Sequence, residues 1–273
     1  MDVEDGVGDP GEEGAGAPKP SRARRPRLPR LPPASDAVRN EWGRRVEAEY
    51  RSAAITQHLT LWLIQIGASP DLIEDGLRIV RDELAHARLS HRVFVAAGGQ
   101  ASPPIARETL GLQRDAREPL ELSVARAGVE VFCLGETVAV PLFKVLRERC
   151  VVPVARRALD RILRDEVRHR DFGWALLRHL LALPCAPAVR GLVDRELSAM
   201  LARQRRSYMP AGARERPGRA SIPEEDRAWG LMPVARYGEI LERAVVRDYA
   251  PRFGEHGIEV AAAWQRSGAA DPG

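Results

Sequence analysis

The sequence contains the pattern Asp-Glu-x-x-His twice, at residues 82–86 and at residues 165–169. On an α-helix, residues three positions apart lie on the same face, so each Glu-x-x-His presents a carboxylate and an imidazole side by side. A glutamate also lies about one helix-length upstream of each copy, Glu49 before the first and Glu136 before the second. The chain therefore repeats one set of chemical groups in two matching halves.

The pattern of apolar residues predicts four long helices around these groups. They cover about residues 36–67, 70–97, 119–149 and 153–183, and the connection at residues 99–117 is the only long one between them. Short turns inside each pair and one long crossover between the pairs are typical of a four-helix bundle built from two antiparallel helical hairpins. We therefore expect an all-α fold with this bundle at residues 36–183.

The two ends of the chain differ in character from the bundle. Residues 1–35 begin acidic and glycine-rich and then become basic and proline-rich, a composition that predicts a disordered tail. Residues 184–273 are expected to form a C-terminal helical extension with a flexible end. Within it, apolar stripes predict helices at about residues 187–207 and 232–250, which pack on the bundle as a lid or face a partner.

The register of each hairpin selects the upstream glutamates, because positions equidistant from a turn lie side by side. The second Glu-x-x-His lies about as many residues after the turn near residue 152 as Glu136 lies before it. Counted in the same way from the turn at residues 68–69, the position opposite the first Glu-x-x-His falls within one helical turn of Glu49. Glu130 is the competitor of Glu136, but it lies six residues away and on a different face.

Six residues thus form the candidate site, and each lies on an apolar stripe of its helix. A buried carboxylate without a partner costs several kcal/mol or more, and metal ions would remove that conflict. Four carboxylates and two imidazoles are the ligand set of a dimetal centre inside a four-helix bundle. The alternative is that these are surface salt-bridge residues, which their common register disfavours. No catalytic residue is predicted beyond these metal ligands: Glu49, Glu83, His86, Glu136, Glu166 and His169.

Asp82 and Asp165, each immediately before a predicted ligand, are expected to form a second layer around the metal ligands. A histidine that binds a metal usually donates its other N–H to a carboxylate, which fixes the orientation of the ring. In a pseudo-twofold bundle each aspartate would serve the histidine of the opposite hairpin, Asp82 for His169 and Asp165 for His86. The alternative is that either aspartate is a solvent-exposed residue.

Composition excludes several other classes of protein. The three cysteines (Cys133, Cys150 and Cys185) contain no Cys-x-x-Cys, which argues against a disulfide framework, a zinc finger or a rubredoxin-like iron site. The arginine-rich run at residues 22–30 lacks interleaved aromatic residues, so we expect no nucleic-acid binding. The longest apolar stretch, residues 59–66, is too short to cross a membrane. A cytoplasmic protein without a membrane anchor is expected.

The two Glu…Asp-Glu-x-x-His halves resemble the ferritin-like superfamily of carboxylate-bridged di-iron proteins. This superfamily includes the ribonucleotide reductase small subunit, the bacterial multicomponent monooxygenase hydroxylases, rubrerythrin and ferritin. Residues 49–54, 82–87 and 133–137 look most like uncharacterised bacterial members of its oxygenase branch. The resemblance covers residues 36–183 and implies a ferritin-like bundle that holds two iron ions, with manganese as an alternative at one or both sites.

The resemblance also implies a function, although the chain departs from particular subfamilies. Ile162 stands where arylamine N-oxygenases carry an additional histidine, and Val140 stands where multicomponent monooxygenases carry a threonine. We therefore expect a non-haem di-iron oxidoreductase of hydroxylase, N-oxygenase or desaturase type. Its partners would be dioxygen, a small organic substrate and an external electron donor. The sequence leaves open whether the chain also pairs with a second copy as a homodimer. The alternatives are a ferroxidase or iron-handling protein and a non-catalytic helical binding protein.

Overall fold

The computed structural model describes residues 32–101, 103–210 and 221–269, and within these ranges the protein is all-α, without β-strands. Most of the predicted N-terminal tail and its arginine-rich run therefore lie outside the described residues. In the ranges covered, no helix has the combination of length and apolar character that a membrane span requires. The α-helices are α1 (Asp36–Gln65), α2 (Pro70–Ala96), α3 (Leu120–Ala127), α4 (Thr137–Glu148), α5 (Pro153–Leu181), α6 (Ala186–Tyr208), α7 (Glu224–Ala228), α8 (Val234–Ala244), α9 (Ala250–Gly254) and α10 (Val260–Ala269).

Helices α1 and α2 form the first hairpin and pack against each other along their length. The hydroxyl of Ser35 accepts a hydrogen bond from the Val38 amide at 3.2 Å and so caps the start of α1. Gly67, with a φ of 69°, adopts the left-handed conformation in the turn before α2. The two helices approach closely at Gly76, where an added Cβ would lie 2.5 Å from the Thr60 hydroxyl.

The predicted third helix is a continuous helical stretch, but it is not α-helical throughout. Helices α3 and α4 are joined by a π-helix at Gly128–Glu136, called here the ligand π-helix. Helix α5 packs against this π-helix, against α4 and against α2. At Gly173 of α5, an added Cβ would lie 2.5 Å from the Cβ of Phe132, so only glycine allows this approach.

The C-terminal helices share the hydrophobic core with the first five, and the described residues form one compact unit. Helix α6 buries the apolar stripe that predicted it against α3, α5 and the ligand π-helix. The indole N–H of Trp42 in α1 donates to the Trp229 carbonyl at 3.0 Å. This hydrogen bond ties the first hairpin to the segment before α8.

Two features of the C-terminal part differ from the prediction. The helix predicted to end near residue 250 continues to Gly254 through a second π-helix at Val245–Tyr249. Helix α10 was not predicted, and it packs on α6 because Val260 and Ala263 are buried and the Arg205 guanidinium lies 3.5 Å from the Trp264 ring centroid.

Candidate metal centre

The six residues predicted as metal ligands converge at one place between α1, α2, α5 and the ligand π-helix. Five of them are buried, with at most 8% of each residue exposed, while Glu136 is partly buried. Glu49 comes from α1, Glu83 and His86 from α2, and the remaining pair, Glu166 and His169, from α5. Glu136 is the last residue of the ligand π-helix.

The side chains form two overlapping groups, and within each group the potential ligand atoms lie within 4.8 Å of one another. Both groups contain Glu83 and Glu166, one carboxylate from each half of the repeat. Each group adds one glutamate and one histidine of its own: Glu49 and His86 in the first, Glu136 and His169 in the second. The arrangement therefore offers two adjacent cation positions that share two carboxylates.

Both histidines direct Nδ1 towards the carboxylates. His86 Nδ1 lies 3.5 Å from Glu49 Oε2 and 3.5 Å from Glu83 Oε2, and His169 Nδ1 lies 3.3 Å from Glu83 Oε1. Neither Nδ1 atom has a hydrogen-bond partner among the described residues, and neither do Glu83 Oε2 and Glu166 Oε2. Each buried polar atom left in this state costs about 1–3 kcal/mol. Bound cations would satisfy all four atoms, so the residues fit a metal centre.

The pKa shifts show how strongly burial and mutual repulsion disfavour the ionised carboxylates in the absence of a cation. Burial raises the pKa of Glu49 to about 7, although the neighbouring imidazole of His86, 3.5 Å away, opposes the shift. Burial and the neighbouring Glu136 raise the pKa of Glu166 well above its usual range. Burial alone would lower the pKa of His86, but its hydrogen bond with Asp165 and the negative charge of the nearby ligand carboxylates raise it to about 12. Without a cation, the raised pKa values favour protonation of Glu49, Glu166 and His86, and these protons offset the negative charge of the ionised carboxylates.

Each second-layer aspartate lies beside the histidine of the opposite hairpin, which is the pairing expected from pseudo-twofold symmetry. Asp165 Oδ2 accepts a hydrogen bond from His86 Nε2 at 3.1 Å. Asp82 Oδ2 lies 3.6 Å from His169 Nε2, which has no hydrogen-bond partner among the described residues. Burial alone would raise the pKa of Asp82, but His169 and Arg168 hold it at about 2. The two halves are thus similar but not equivalent.

Two arginines that the sequence reasoning missed join the aspartates. Arg168 donates to both Asp82 Oδ2 and Asp165 Oδ1 at 2.8 Å, and Arg161 donates to Asp82 Oδ1 at 3.1 Å and to Asp165. A signal was available, because Arg161 lies four residues before Asp165 just as Arg78 lies four before Asp82. The internal repeat is therefore longer than the five-residue pattern.

Glu130, the competitor of Glu136, and the nearby Cys133 both have partners outside the candidate site. Glu130 forms a salt bridge with Arg203 of α6, with Arg203 Nη2 2.8 Å from Glu130 Oε2, and it belongs to neither ligand group. Cys133 is fully buried, and its thiol donates to the Gly173 carbonyl at 3.3 Å. Its pKa is raised by burial, so the thiol is neutral and has a packing role.

Comparison of the chain with protein-family models, with curated proteins and with solved structures gave no match. Function must therefore be inferred from the chemistry of the site. Buried glutamates and histidines at this spacing could hold metal ions, and the carboxylate-rich donor set suits several divalent transition metals.

Proposed function

We propose that this protein is a ferritin-like four-helix bundle that binds two metal ions and acts as an oxygen-activating oxidoreductase. The observation that carries the proposal is the pair of overlapping Glu/His groups that share Glu83 and Glu166. Their buried atoms without hydrogen-bond partners indicate positions that cations would fill.

The helix packing supports the ferritin-like part of the proposal. In bundles of this class, two helices each supply a Glu-x-x-His and the other two each supply a glutamate. Here α2 and α5 carry the Glu-x-x-His pairs and contact each other, while α1 packs on α2 and the ligand π-helix packs on α5. The long connection between α2 and α3 supports the crossover that this topology requires.

Charge balance supports two ions rather than one. The four ligand carboxylates together carry four negative charges when ionised, and two divalent cations neutralise them. A single divalent ion would leave two uncompensated charges in a buried site, which is strongly unfavourable. Glu83 and Glu166 would contact both ions, Glu49 and His86 would hold the first, and Glu136 and His169 would hold the second.

The donor set is compatible with iron, and with manganese as the alternative, because all six ligands are oxygen or nitrogen donors and no thiolate is present. Two iron ions would supply the redox chemistry by which dioxygen oxidises a small organic substrate, with an external electron donor completing the cycle.

The protein's own contribution is orientation and exclusion of water. Asp165 accepts from His86 Nε2, which leaves Nδ1 free to face the ligand carboxylates. Arg161 and Arg168 hold both aspartates in place from the solvent side. Because five of the six ligand side chains are almost completely buried, bulk water is kept from the site.

Anaerobic titration with ferrous iron, followed by exposure to oxygen, tests this function. We expect two iron ions per chain, a ligand-to-metal absorption band after oxygen is admitted, and particles no larger than a small oligomer. Particles of cage size that accumulate many irons per chain would favour the ferroxidase alternative. Failure to bind iron or manganese would favour the non-catalytic binding protein.

A further inference from the structure

Two apolar stripes lie on the outer side of the α1–α2 hairpin. The stripe on α1 consists of Tyr50, Ala54, Gln57, Leu61 and Ile64, and the stripe on α2 consists of Ile73, Leu77, Val80 and Leu84. Every member is half-buried or exposed. The exposed large apolar members, with 36–54% of their surface accessible, are Tyr50, Leu61, Ile64 and Leu77. Apolar side chains of this size, exposed together, indicate an interaction surface.

The two stripes form one continuous face, called here the outer hairpin face. Gly43 lies two helical turns before the α1 stripe on the same flank, and a Cβ added there would lie 3.5 Å from Cε2 of Phe94 in α2. Gly76, within the span of the α2 stripe, approaches Thr60 of α1. Each stripe therefore borders the line along which the two helices meet, and both stripes point to the same side.

The spacing of the stripes indicates what kind of partner fits this face. Successive members of both stripes are separated by alternating steps of four and three residues. This spacing keeps side chains in contact with a second helix that crosses at about 20°. An extended peptide would instead present a side chain at every second residue. The partner that fits is a pair of helices nearly aligned with α1 and α2.

The outer hairpin face is symmetric about its own centre. Gln57 is the middle member of the α1 stripe, with two members on either side. Ser52 of α1 donates to Glu83 of α2 at 2.9 Å, so Gln57, five residues further along α1, lies level with residue 78 of the antiparallel α2. Residue 78 is in the middle of the α2 stripe. The two stripes are thus centred at the same level.

A twofold axis through this level makes the face complementary to itself. Tyr50 would pack on Ile64 of the second copy, and Leu77 would pack on Val80 of the second copy. Gln57 would meet Gln57 of the second copy, and a primary amide has both donors and an acceptor, so the two can hydrogen-bond to each other. A single polar pair inside an apolar seam also fixes the register of the helices.

The area of the face is sufficient for a stable dimer. Between Gly67 and Gly43, where Pro103 of the crossover reaches α1, the hairpin is about 36 Å long and about 20 Å wide. This corresponds to about 700 Å² per copy, and stable interfaces take roughly 600–1,000 Å² from each partner. An apolar centre of this kind is typical of homodimers.

We propose that the outer hairpin face is the interface of a symmetric homodimer, in which the α1–α2 hairpins of two copies pack against each other around a twofold axis at Gln57. Dimers with twofold symmetry are the commonest protein oligomers. The interface is independent of the proposed function, because it uses none of the six candidate metal ligands.

Sedimentation equilibrium of the full chain over a dilution series tests the dimer. We expect a species of twice the chain mass of 30.1 kDa that dissociates reversibly on dilution. A wild-type protein that stays at the mass of one chain throughout the series would overturn the proposal. A monomer that cosediments with phosphatidylglycerol vesicles would overturn it as well, and would assign the face to a membrane surface.

Charged substitutions locate the interface. The double variant L61E/L77E should raise the dimer dissociation constant at least about hundredfold, because the dimer would then bury four carboxylates without partners. V246E is the matched control, since Val246 is an exposed apolar residue of the second π-helix, away from the outer hairpin face. It should dimerise as the wild type does. An unchanged dissociation constant in L61E/L77E with wild-type circular dichroism would overturn the proposal.

Crosslinking tests the twofold axis without disturbing the apolar contacts. Q57C should be joined to a second copy by a short bis-maleimide, because the axis brings the two cysteines together. A48C is the matched control, since Ala48 is an exposed residue of α1 on another side of the helix, and the wild type controls for the three native cysteines. Crosslinking of A48C but not of Q57C would overturn the proposal, even if the protein is a dimer.

Discussion

Replacing Asp165 with asparagine should weaken metal binding at the position that uses His86. Asp165 is 1% exposed and accepts a hydrogen bond from His86 Nε2 at 3.1 Å. Asparagine keeps the shape but removes the charge, and its amide can present N–H groups to an N–H donor. Loss of a buried charge-assisted hydrogen bond costs about 1.5–3 kcal/mol, which corresponds to roughly a 10- to 150-fold loss of affinity.

The structure also predicts an order between the two aspartates. Asp82 Oδ2 lies 3.6 Å from His169 Nε2, beyond hydrogen-bond distance, so Asp82→Asn should weaken metal binding less than Asp165→Asn does. Competition titrations with a chelating dye and Mn²⁺ would measure both affinities. Asp160→Asn is the matched control, because Asp160 is a half-exposed aspartate of α5 whose salt bridges, among the described residues, are with the surface arginines Arg147 and Arg156. Equal losses in all three variants, or a larger loss in Asp82→Asn, would refute the reasoning.

Three further predictions follow from the packing and the ligand register. Glu136→Gln should reduce the metal content measured by mass spectrometry, whereas Glu130→Gln should leave it unchanged. The reverse result would mean that Glu130, and not Glu136, is the ligand from this helix. Gly173→Ala should lower the free energy of unfolding by about 1–3 kcal/mol, because the added Cβ would lie 2.5 Å from Phe132 Cβ. By contrast, Gly191→Ala should raise it by about 0.5–1 kcal/mol, since only the flexible end of an arginine lies nearby; chemical denaturation measures both, and equal effects would contradict the packing. Removal of metal with a chelator should lower Tm, because metal binds the folded state, and re-addition of Mn²⁺ should restore it.

The ligand register could be predicted from the sequence because a short turn fixes which positions of a helical hairpin lie side by side. That rule selected Glu136 over Glu130, and the structure places Glu136 in the second ligand group while Glu130 pairs with Arg203. The pairing of Asp165 with His86 could also be inferred, because pseudo-twofold symmetry places each aspartate beside the histidine of the opposite hairpin.

Other features of the structure could not be predicted from the sequence. Arg168 is about 42% exposed, and an arginine at helical spacing from an aspartate looks the same whether it pairs at the surface or supports a buried site. The ligand π-helix differs from an α-helix by a wider turn that the apolar pattern does not reveal. Helix α10 was missed because its ten residues are stabilised mainly by contacts with α6, which lies far away in sequence.

The stoichiometry of metal binding tests the central claim most directly, because Glu83 and Glu166 belong to both ligand groups. Anaerobic titration with ferrous iron should give two ions per chain for the wild type. Glu166→Ala should lose tight binding at both positions, whereas Glu49→Ala should retain one ion held by the second group. A wild-type chain that binds no iron or manganese, or a Glu166→Ala variant that still binds two ions tightly, would contradict the dimetal centre.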